Sequence, residues 1–407
     1  MIANKYSISC RGIKLLFSFG YLLLTLSCRN NLPVSEILNS TVQTLSPDSI
    51  NIKASEIGTS VRYVSLKASS NINLIGDNPE RIIVSANKIF LLDQQISNSL
   101  YVFDTSGVLL YKVSSSTING LLPGKRNKEY QLTDFALDEH TNSLLLFIAA
   151  RGAVLYFDAH SGRYKRFVNL NPYLIFNKFN LSNEGNFIFS NTYTNSSSSA
   201  KSIHLCQYDS SGNYKGGWLH DPLSGLVKRF SGLCLTSTSA NFTELLFARF
   251  GGDTIYALKG DSLITRYKVA FSNVSNRATF QTHLTQHNSS VDQDPLISEN
   301  TGIYTKIHST NKYIYFEILT PTGILMPCLF NKDTKKGGEI TYIENDFSSF
   351  PIPRFPSYIN DFVYAGFISG TSVNNLNKLH AEQPGVGKNK TLFPGHDPVI
   401  VLLYLKK

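Results

Sequence analysis

A hairpin motif that recurs about every 50 residues most constrains how this chain of 407 residues folds. In three copies, an apolar and aromatic run ends at an aspartate, a glycine follows three or four residues later, and a second run begins. The copies are Leu100–Val113, Val154–Val168 and Leu205–Lys215. Asp and Gly between two such runs are typical of a tight turn that joins antiparallel strands. The motif therefore predicts a repeated β-hairpin.

Each hairpin follows a second pair of short apolar runs that are separated by Asn, Gly or Thr. Four strands in a repeat of about 50 residues are typical of one blade of a β-propeller. The spacing predicts five blades, near residues 80–113, 131–168, 177–219, 232–271 and 301–342. The last two of these match the motif less well than the first three.

A sixth blade and the closure of the ring are predicted from the two ends of this region. Residues 362–368 and the terminal run 399–405 supply strands for a last blade that lacks one strand, and Val61–Leu66 is an unassigned strand. Pairing the two ends would close the ring and remove exposed sheet edges. Composition agrees, because 26 Phe and 21 Tyr suit strands and only 16% of residues are charged. We predict an all-β, six-bladed propeller with four-stranded antiparallel blades.

The first 27 residues are predicted to be a bacterial lipoprotein signal peptide. Three basic residues, Lys5, Arg11 and Lys14, precede the apolar run 15–24. This run is too short for an ordinary membrane span. Thr25 and Leu26 separate this run from Ser27 and Cys28, and the segment Leu24–Cys28 resembles a lipoprotein cleavage site. We therefore predict Cys28 as the lipidation site, and the alternative is a secreted protein in which Cys28 has no role.

The mature chain is predicted to have two parts and a mild positive charge. The polar residues 28–59 are expected to form a flexible tether, and residues 60–407 the propeller. Loss of three basic residues with the signal lowers the formal charge from +9 to +6. No basic cluster interleaved with aromatic residues occurs, which argues against nucleic acid as a partner. We expect a monomer that contacts the membrane through the lipid on Cys28.

Three further cysteines, Cys206, Cys234 and Cys328, have no metal-binding spacing. A disulfide between Cys206 and Cys234 suits an oxidising compartment, and buried free thiols within strands are the alternative.

Short motifs in the mature chain resemble those of six-bladed β-propeller lipoproteins of Bacteroides-type bacteria, which are similar in layout to NHL- and TolB-like propellers. These motifs are Val61–Leu66, Leu74–Gly76, Arg81–Val84, Leu121–Gly124 with Glu129–Tyr130, Asp253–Tyr256 and Asp397–Leu402. The resemblance covers residues 60–407 and implies the propeller fold and a lipid anchor in the outer membrane of a Gram-negative bacterium. It implies no particular reaction. Residues Lys125–Lys128 depart from the glycine-rich loop that is usual between the first two blades.

Candidate chemical groups are few. His283 and His287 have the spacing of two ligands on one helix face, but they lie in a polar connection without the glutamate of a zinc-protease motif. Asp104, Asp158 and Asp209 recur once per blade, and turn formation explains them more simply than a ring of calcium ligands. No catalytic, cofactor-binding or metal-binding residue is predicted, and no cofactor.

Three kinds of function remain open from the sequence. The first is a binding or scaffold module of the cell envelope whose loops hold a glycan, a peptide or a partner protein. The second is an envelope hydrolase or lyase with a metal or carboxylate site in the central channel, which requires acids or histidines from several blades to converge. The third is a structural component of a lipoprotein complex.

Overall fold

The computed structural model describes most of the residues between 37 and 406, and these belong to one unit, Ser35–Lys407. The residues described are 37–38, 42–46, 48–67, 75–76, 79–85, 87–123, 130–172, 174, 176, 178–190, 203–220, 245–248, 254–270, 303–319, 325–348, 350–381 and 397–406. The predicted signal peptide, Cys28, Cys234, Lys125–Lys128 and the pair His283 and His287 therefore lie outside the described residues. Within these ranges, no helix is long and apolar enough to cross a membrane.

The N-terminal part of the described chain contains short strands, one helical turn and a longer strand. In chain order these are β1 (Ile37–Leu38), β2 (Gln43–Leu45), β3 (Asp48–Lys53), α1 (Ala54–Ile57) and β4 (Gly58–Ser65).

Three four-stranded antiparallel sheets follow. Their apolar strands and polar turns alternate in the order that the sequence repeats predict. Blade 1 contains β5 (Arg81–Ser85), β6 (Lys88–Asp93), β7 (Ser99–Asp104) and β8 (Leu109–Ser114), followed by α2 (Ser115–Leu121). Blade 2 contains β9 (Asp134–Asp138), β10 (Ser143–Ile148), a 3₁₀ turn (Ala149–Arg151), β11 (Ala153–Asp158) and β12 (Tyr164–Asn169). Blade 3 contains β13 (Lys178–Leu181), β14 (Phe187–Ser190), β15 (Ile203–Tyr208) and β16 (Tyr214–His220).

The remaining three sheets complete a six-bladed β-propeller, as the sequence predicts. Blade 4 contributes β17 (Leu245–Ala248), β18 (Thr254–Lys259) and β19 (Ser262–Val269) among the described residues. Blade 5 contains β20 (Ile303–Ser309), β21 (Tyr313–Leu319), β22 (Leu325–Asn331) and β23 (Gly337–Glu344). Blade 6 contains β24 (Pro356–Ile359), β25 (Val363–Ile368), α3 (Gly370–Ala381) and β26 (Val399–Leu405), and β4 is its fourth strand.

The ring closes between the two ends of the propeller. Strand β4 pairs antiparallel with β26 from Ser65 opposite Val399 to Gly58 opposite Leu405. The predicted closure of the ring by an N-terminal and a C-terminal strand is therefore confirmed.

The N-terminal strands before β4 extend the outer edges of two blades. Strands β1 and β2 pair in parallel with β19 of blade 4, and β3 pairs in parallel with β23 of blade 5. The predicted tether over residues 28–59 is corrected for these segments, which are strands of the propeller. Backbone groups on an outer edge have no partner within their own blade, so a polar segment of β conformation can pair with them.

The hydrophobic core lies between the faces of successive sheets. One group of buried residues joins blades 6, 1 and 2, and other groups join blade 5 to blade 6, blade 4 to blade 5 and blade 3 to blade 4. Between blades 2 and 3 the core is aromatic: the Phe189 ring centroid lies 4.8 Å from that of Phe147 and 5.0 Å from that of Phe176. The many phenylalanines of the sequence therefore serve the packing of blade on blade.

Cys206 and Cys328 are buried free thiols. Burial raises the pKa of both thiols. This agrees with the free-thiol alternative for Cys206.

The recurrent aspartates form turns, as the simpler interpretation of the sequence predicts. Asp104 Oδ1 accepts hydrogen bonds from the backbone N–H groups of Ser106 and Val108, at 2.8 and 2.9 Å. Asp158 and Asp209 accept equivalent bonds in blades 2 and 3. Hydrogen bonds from the Ser161 backbone and hydroxyl lower the pKa of Asp158 to about 2. Each carboxylate is therefore held as an acceptor at its own turn.

The glycines of these turns also contact the outer strand of the preceding blade. The Gly107 carbonyl of blade 1 accepts a 2.8 Å hydrogen bond from the N–H of Lys67, just after β4 of blade 6. The Gly212 carbonyl of blade 3 accepts one of the same length from Asn171, just after β12 of blade 2. Both glycines have positive φ, and a Cβ on Gly212 would lie 2.2 Å from the Asn169 carbonyl oxygen. These turns therefore join adjacent blades at the rim.

The contact of Gly212 with blade 2 predicts that alanine substitutions at two glycines of blade 3 differ in their effect on stability. Gly212→Ala is expected to lower the free energy of unfolding by about 3 kcal/mol, because it adds a clash with the neighbouring blade to the cost of positive φ. Gly185→Ala is the control: its φ is +77°, but no atom lies within 4 Å of the added Cβ, so the expected loss is about 1 kcal/mol. Urea denaturation measures both values, and equal losses would contradict the role of Gly212 between blades.

Candidate functional site

A cavity of about 760 Å³ is lined by residues from the first strands of several blades out to β12, the outermost strand of blade 2. Five of the six blades line it: blades 2 and 3 contribute most residues, and blades 1, 4 and 6 contribute Arg81 and Ile83, Leu245, and Tyr358. This volume is within the range of sites for small ligands, about 300–1,000 Å³.

Polar turns form the exposed end of the cavity. The turn between β9 and β10 contributes Glu139, His140 and Thr141, and the turn between β13 and β14 contributes Asn183 and Glu184. All five of these residues are exposed. Because such turns join the first and second strands of a blade, they lie beside the channel that the first strands surround. Turn residues are usually polar, so the turns β9–β10 and β13–β14 bring polar side chains to the mouth of the cavity.

The carboxylates at the mouth are only partly engaged. Asp138 accepts hydrogen bonds from the backbone of His140 and the hydroxyl of Thr141, so both of its oxygens stabilise its own turn. Glu139 Oε1 accepts a hydrogen bond from the Ser85 hydroxyl of blade 1. Glu184 Oε2 accepts one from Asn186 at 3.1 Å. Among the described residues, the second oxygen of each glutamate accepts none.

Two basic side chains of blade 2 line the side of the cavity. The Arg166 guanidinium carbon lies 4.0 Å from the centroid of the Tyr156 ring. Burial raises the pKa of Tyr156, and the positive charge of Arg166 opposes that rise. Lys165 Nζ lies 3.5 Å from Asp158 Oδ2. The side wall therefore presents one stacked guanidinium and one partly exposed ammonium group.

A buried polar cluster at the other end of the cavity joins blades 1, 2 and 3. Arg81 Nη1 donates to Asp134 Oδ1 at 2.9 Å and to the Phe179 carbonyl at 2.7 Å, and Arg81 Nη2 donates to Asn180 Oδ1 at 2.6 Å. Asp134 Oδ2 in turn accepts a 2.8 Å hydrogen bond from the Phe179 backbone N–H. We call Arg81, Asp134 and Asn180 the inner cluster. It joins three consecutive first strands by charge-assisted hydrogen bonds.

The Cα of Arg81 lies about 13 Å along β5 from the Cα of Ser85, which is next to the mouth of the cavity. Arg81 begins β5, and Ser85, which contacts Glu139 of the mouth, is four residues further along the same strand. The inner cluster therefore forms the deep end of the cavity.

Blade 5 supplies a second buried polar group near the channel. Glu317 is 2% exposed, and its Oε1 accepts a 2.7 Å hydrogen bond from the Tyr315 hydroxyl and lies 3.5 Å from Lys306 Nζ. Burial, together with the charges of Lys306 and Arg81, lowers the pKa of His308 to about 3. His308 is therefore a neutral imidazole at physiological pH.

Of the candidate residues that the structure describes, none lines the cavity. Asp104, Asp158 and Asp209 are turn residues, and no group of three or more His, Cys, Asp or Glu side chains is placed to hold a metal ion within the part of the chain described. The cavity residues were not singled out by the sequence. One signal was present, because Arg81, Asp134 and Lys178 all stand at the first position of the first strand of successive blades.

The ring of six sheets defines a β-propeller, and five of its blades line one cavity. The chain belongs to the family described as "Domain of unknown function (DUF4934)", whose pattern matches residues 36–404. No protein with a curated description matches the sequence.

Several solved structures are similar to this chain in fold. A Bacteroides fragilis protein that is provisionally described as exported is 14% identical, with a TM-score of 0.60 over 90% of this chain and 100% of that chain. A DUF4221 family member from Bacteroides vulgatus is 8% identical, with a TM-score of 0.44 over 86% and 97%. The WD40 repeats of RRP9 are 9% identical, with a TM-score of 0.45 over 84% and 98%. At these identities the similarity shows the fold alone.

The inner cluster predicts a strong dependence of stability on Asp134. Asp134→Asn is expected to lower the free energy of unfolding by about 3–5 kcal/mol, because Arg81 keeps its charge in a buried site without its counterion. The control is Lys178→Met, which removes the pair that Lys178 forms with Glu80 between blades 1 and 3 near the surface, and is expected to cost under about 1 kcal/mol. Chemical denaturation measures the free energy of unfolding of both variants. Similar losses would contradict the idea that burial makes the pair of Arg81 and Asp134 more important for stability than the pair of Lys178 and Glu80.

Proposed function

We propose that this protein is a binding module of the bacterial cell envelope, attached to the outer membrane through lipid on Cys28, and that it holds a ligand in the central cavity. The observation that supports a binding role is the cavity itself, which combines a volume of about 760 Å³ with polar side chains from several blades.

The pairing of the most buried acid favours binding over catalysis. Asp138 stabilises its own turn, and Asp134 of the inner cluster is paired with Arg81. Glu139 and Glu184 at the exposed mouth, in contrast, each have one oxygen without a partner among the described residues. A general acid–base mechanism needs a group that is free to exchange a proton with the substrate at the operating pH. Asp134 is bonded through both oxygens, so it is poorly suited to that role.

The envelope location is supported by the sequence and by one structural relative. Residues 1–27 have the basic and apolar regions of an export signal, and Cys28 follows the small residue Ser27. The Bacteroides fragilis relative is itself provisionally described as exported. A lipid on Cys28 would keep the propeller at the membrane surface while its cavity stays in water.

The lipid anchor predicts the fractionation of a Cys28 variant. Cys28→Ala removes the thiol that would carry the lipid, so the exported protein is expected to move from the membrane fraction to the soluble fraction. Cys10→Ala, which alters a cysteine within the predicted signal, is the control and is expected to stay with the membrane. Immunoblots of both fractions measure the change, and a membrane-bound Cys28→Ala protein would overturn the proposal.

The cavity predicts that a bulky side chain at its mouth prevents binding. The measurement is the shift in Tm of the purified mature protein with a panel of neutral oligosaccharides, uronic-acid oligosaccharides and short peptides. At least one class is expected to raise Tm. Asn183→Trp, which places an indole at the mouth, is expected to remove that shift.

Asn51→Trp is the matched control, because Asn51 is also exposed but lies on β3 at the outer edge of blade 5. It is expected to keep the shift. A panel that gives no shift, or a shift that survives in Asn183→Trp, would contradict a ligand site in the cavity.

A further inference from the structure

We infer that the cavity binds an uncharged, hydroxyl-rich ligand of the neutral oligosaccharide class. The inference rests on the proposed binding role of the cavity and specifies what it binds. Three features support it: the balance of charge in the lining, an unsatisfied donor at the deep end, and unsatisfied acceptors at the mouth.

The charges that line the cavity cancel. Three cations, Arg81, Lys165 and Arg166, face three anions, Asp138, Glu139 and Glu184. A site that selects an ion is usually lined by an excess of the opposite charge, which lowers the cost of removing that ion from water. A balanced lining gives no such excess, and it therefore favours a ligand without net charge.

The deep end offers a hydrogen-bond donor with no partner. Arg81 is 9% exposed, and its two terminal nitrogens donate to Asp134, Phe179 and Asn180. Its Nε–H has no hydrogen-bond acceptor among the described residues. Nε is itself buried, so a ligand oxygen reaches it only when the neighbouring side chains shift. A buried polar group without a partner costs about 1–3 kcal/mol, and accepting this bond would recover part of that cost.

The pairing of charges at the deep end argues against an anionic ligand group as the acceptor of the Arg81 Nε–H hydrogen bond. Arg81 is already neutralised by Asp134 at 2.9 Å, and the neighbouring Lys306 lies beside Glu317. A carboxylate or phosphate placed here would become an unpaired buried charge, which is costly. A hydroxyl or ether oxygen accepts the same hydrogen bond without that cost.

The mouth offers acceptors that suit hydroxyl donors. One oxygen each of Glu139 and Glu184 accepts no hydrogen bond from the described residues, and the Asn183 amide beside them is likewise without a hydrogen-bond partner there. Planar carboxylate and amide groups can bond to two neighbouring hydroxyls at once, because each has more than one acceptor or donor position. A chain of sugar rings carries hydroxyls along its whole length, and it could therefore bond both at the mouth and about 13 Å deeper at Arg81.

A peptide fits this lining less well. Its side chains would need apolar pockets, but the large aromatic rings of the lining are already covered. Tyr156 is 8% exposed and is stacked by Arg166, and Tyr358 is 0% exposed.

The test combines calorimetry with isosteric variants on the full mature chain. The probes are neutral oligosaccharides of two to four hexose units, uronic-acid oligosaccharides of the same lengths, and tetrapeptides. Glu139→Gln and Glu184→Gln each remove a charge from an exposed side chain at the mouth while keeping its shape, so folding is expected to be unaffected. Glu344→Gln, at an exposed position in β23 of blade 5, is the matched control.

A neutral oligosaccharide is expected to bind with a Kd that is insensitive to salt, because screening acts on charged partners. Each mouth variant is expected to weaken its binding about tenfold, since hydrogen bonds to charged acceptors become bonds to neutral ones. Glu344→Gln is expected to bind like the wild type.

Other outcomes overturn the inference in distinguishable ways. Preferential binding of uronic-acid probes, weakened by salt and strengthened in the glutamine variants, would show an anion site. Binding of tetrapeptides alone would show a peptide site. Either result, if removed by Asn183→Trp, would leave the proposed binding role intact and overturn only the ligand class. Absence of binding by every probe would overturn both.

Discussion

The antiparallel pairing of β4 with β26 is the constraint on which the rest of the structure depends. This ladder joins segments near the two ends of the chain, and Thr59 Oγ1 donates to the Tyr404 carbonyl across 345 residues of sequence. Because a propeller blade packs only against its two neighbours, an open array of six blades would leave two apolar faces in water. Closure buries both faces, and it fixes the first strands around one channel. The distances within the inner cluster and the width of the cavity follow from that closure.

The local repeats were predictable from the sequence because each depends on a short-range pattern. The closure of the ring was predictable because a strand was missing from the last blade and one strand near the other end was unassigned. Each Asp-to-Gly turn between apolar runs predicts its hairpin, and the structure confirms the turn role of Asp104 and its two counterparts. The unassigned strand at Val61–Leu66 predicted the partner of the terminal strand. In these cases the residues that decide the structure are close in sequence, or complete a regular count of strands.

The edge strands and the cavity were not predictable in the same way. Strands β1, β2 and β3 lie in a polar segment without a regular apolar pattern, and they are strands because the edges of blades 4 and 5 offer partners. Arg81, Asp134 and Asn180 come from three different repeats. Their convergence is a property of the ring. Arg81 and Asp134 share the first position of their strands, which was a trace of it in the sequence, but Asn180 is the third residue of its strand.

The pairing of β3 and β4 also determines when the propeller can complete its fold. Both strands are made early by the ribosome, but their partners β23 and β26 come near the end of the chain. Contacts between segments so distant in sequence form slowly, since the intervening chain must first be ordered. The propeller therefore cannot complete its fold until its last seven-residue strand is available.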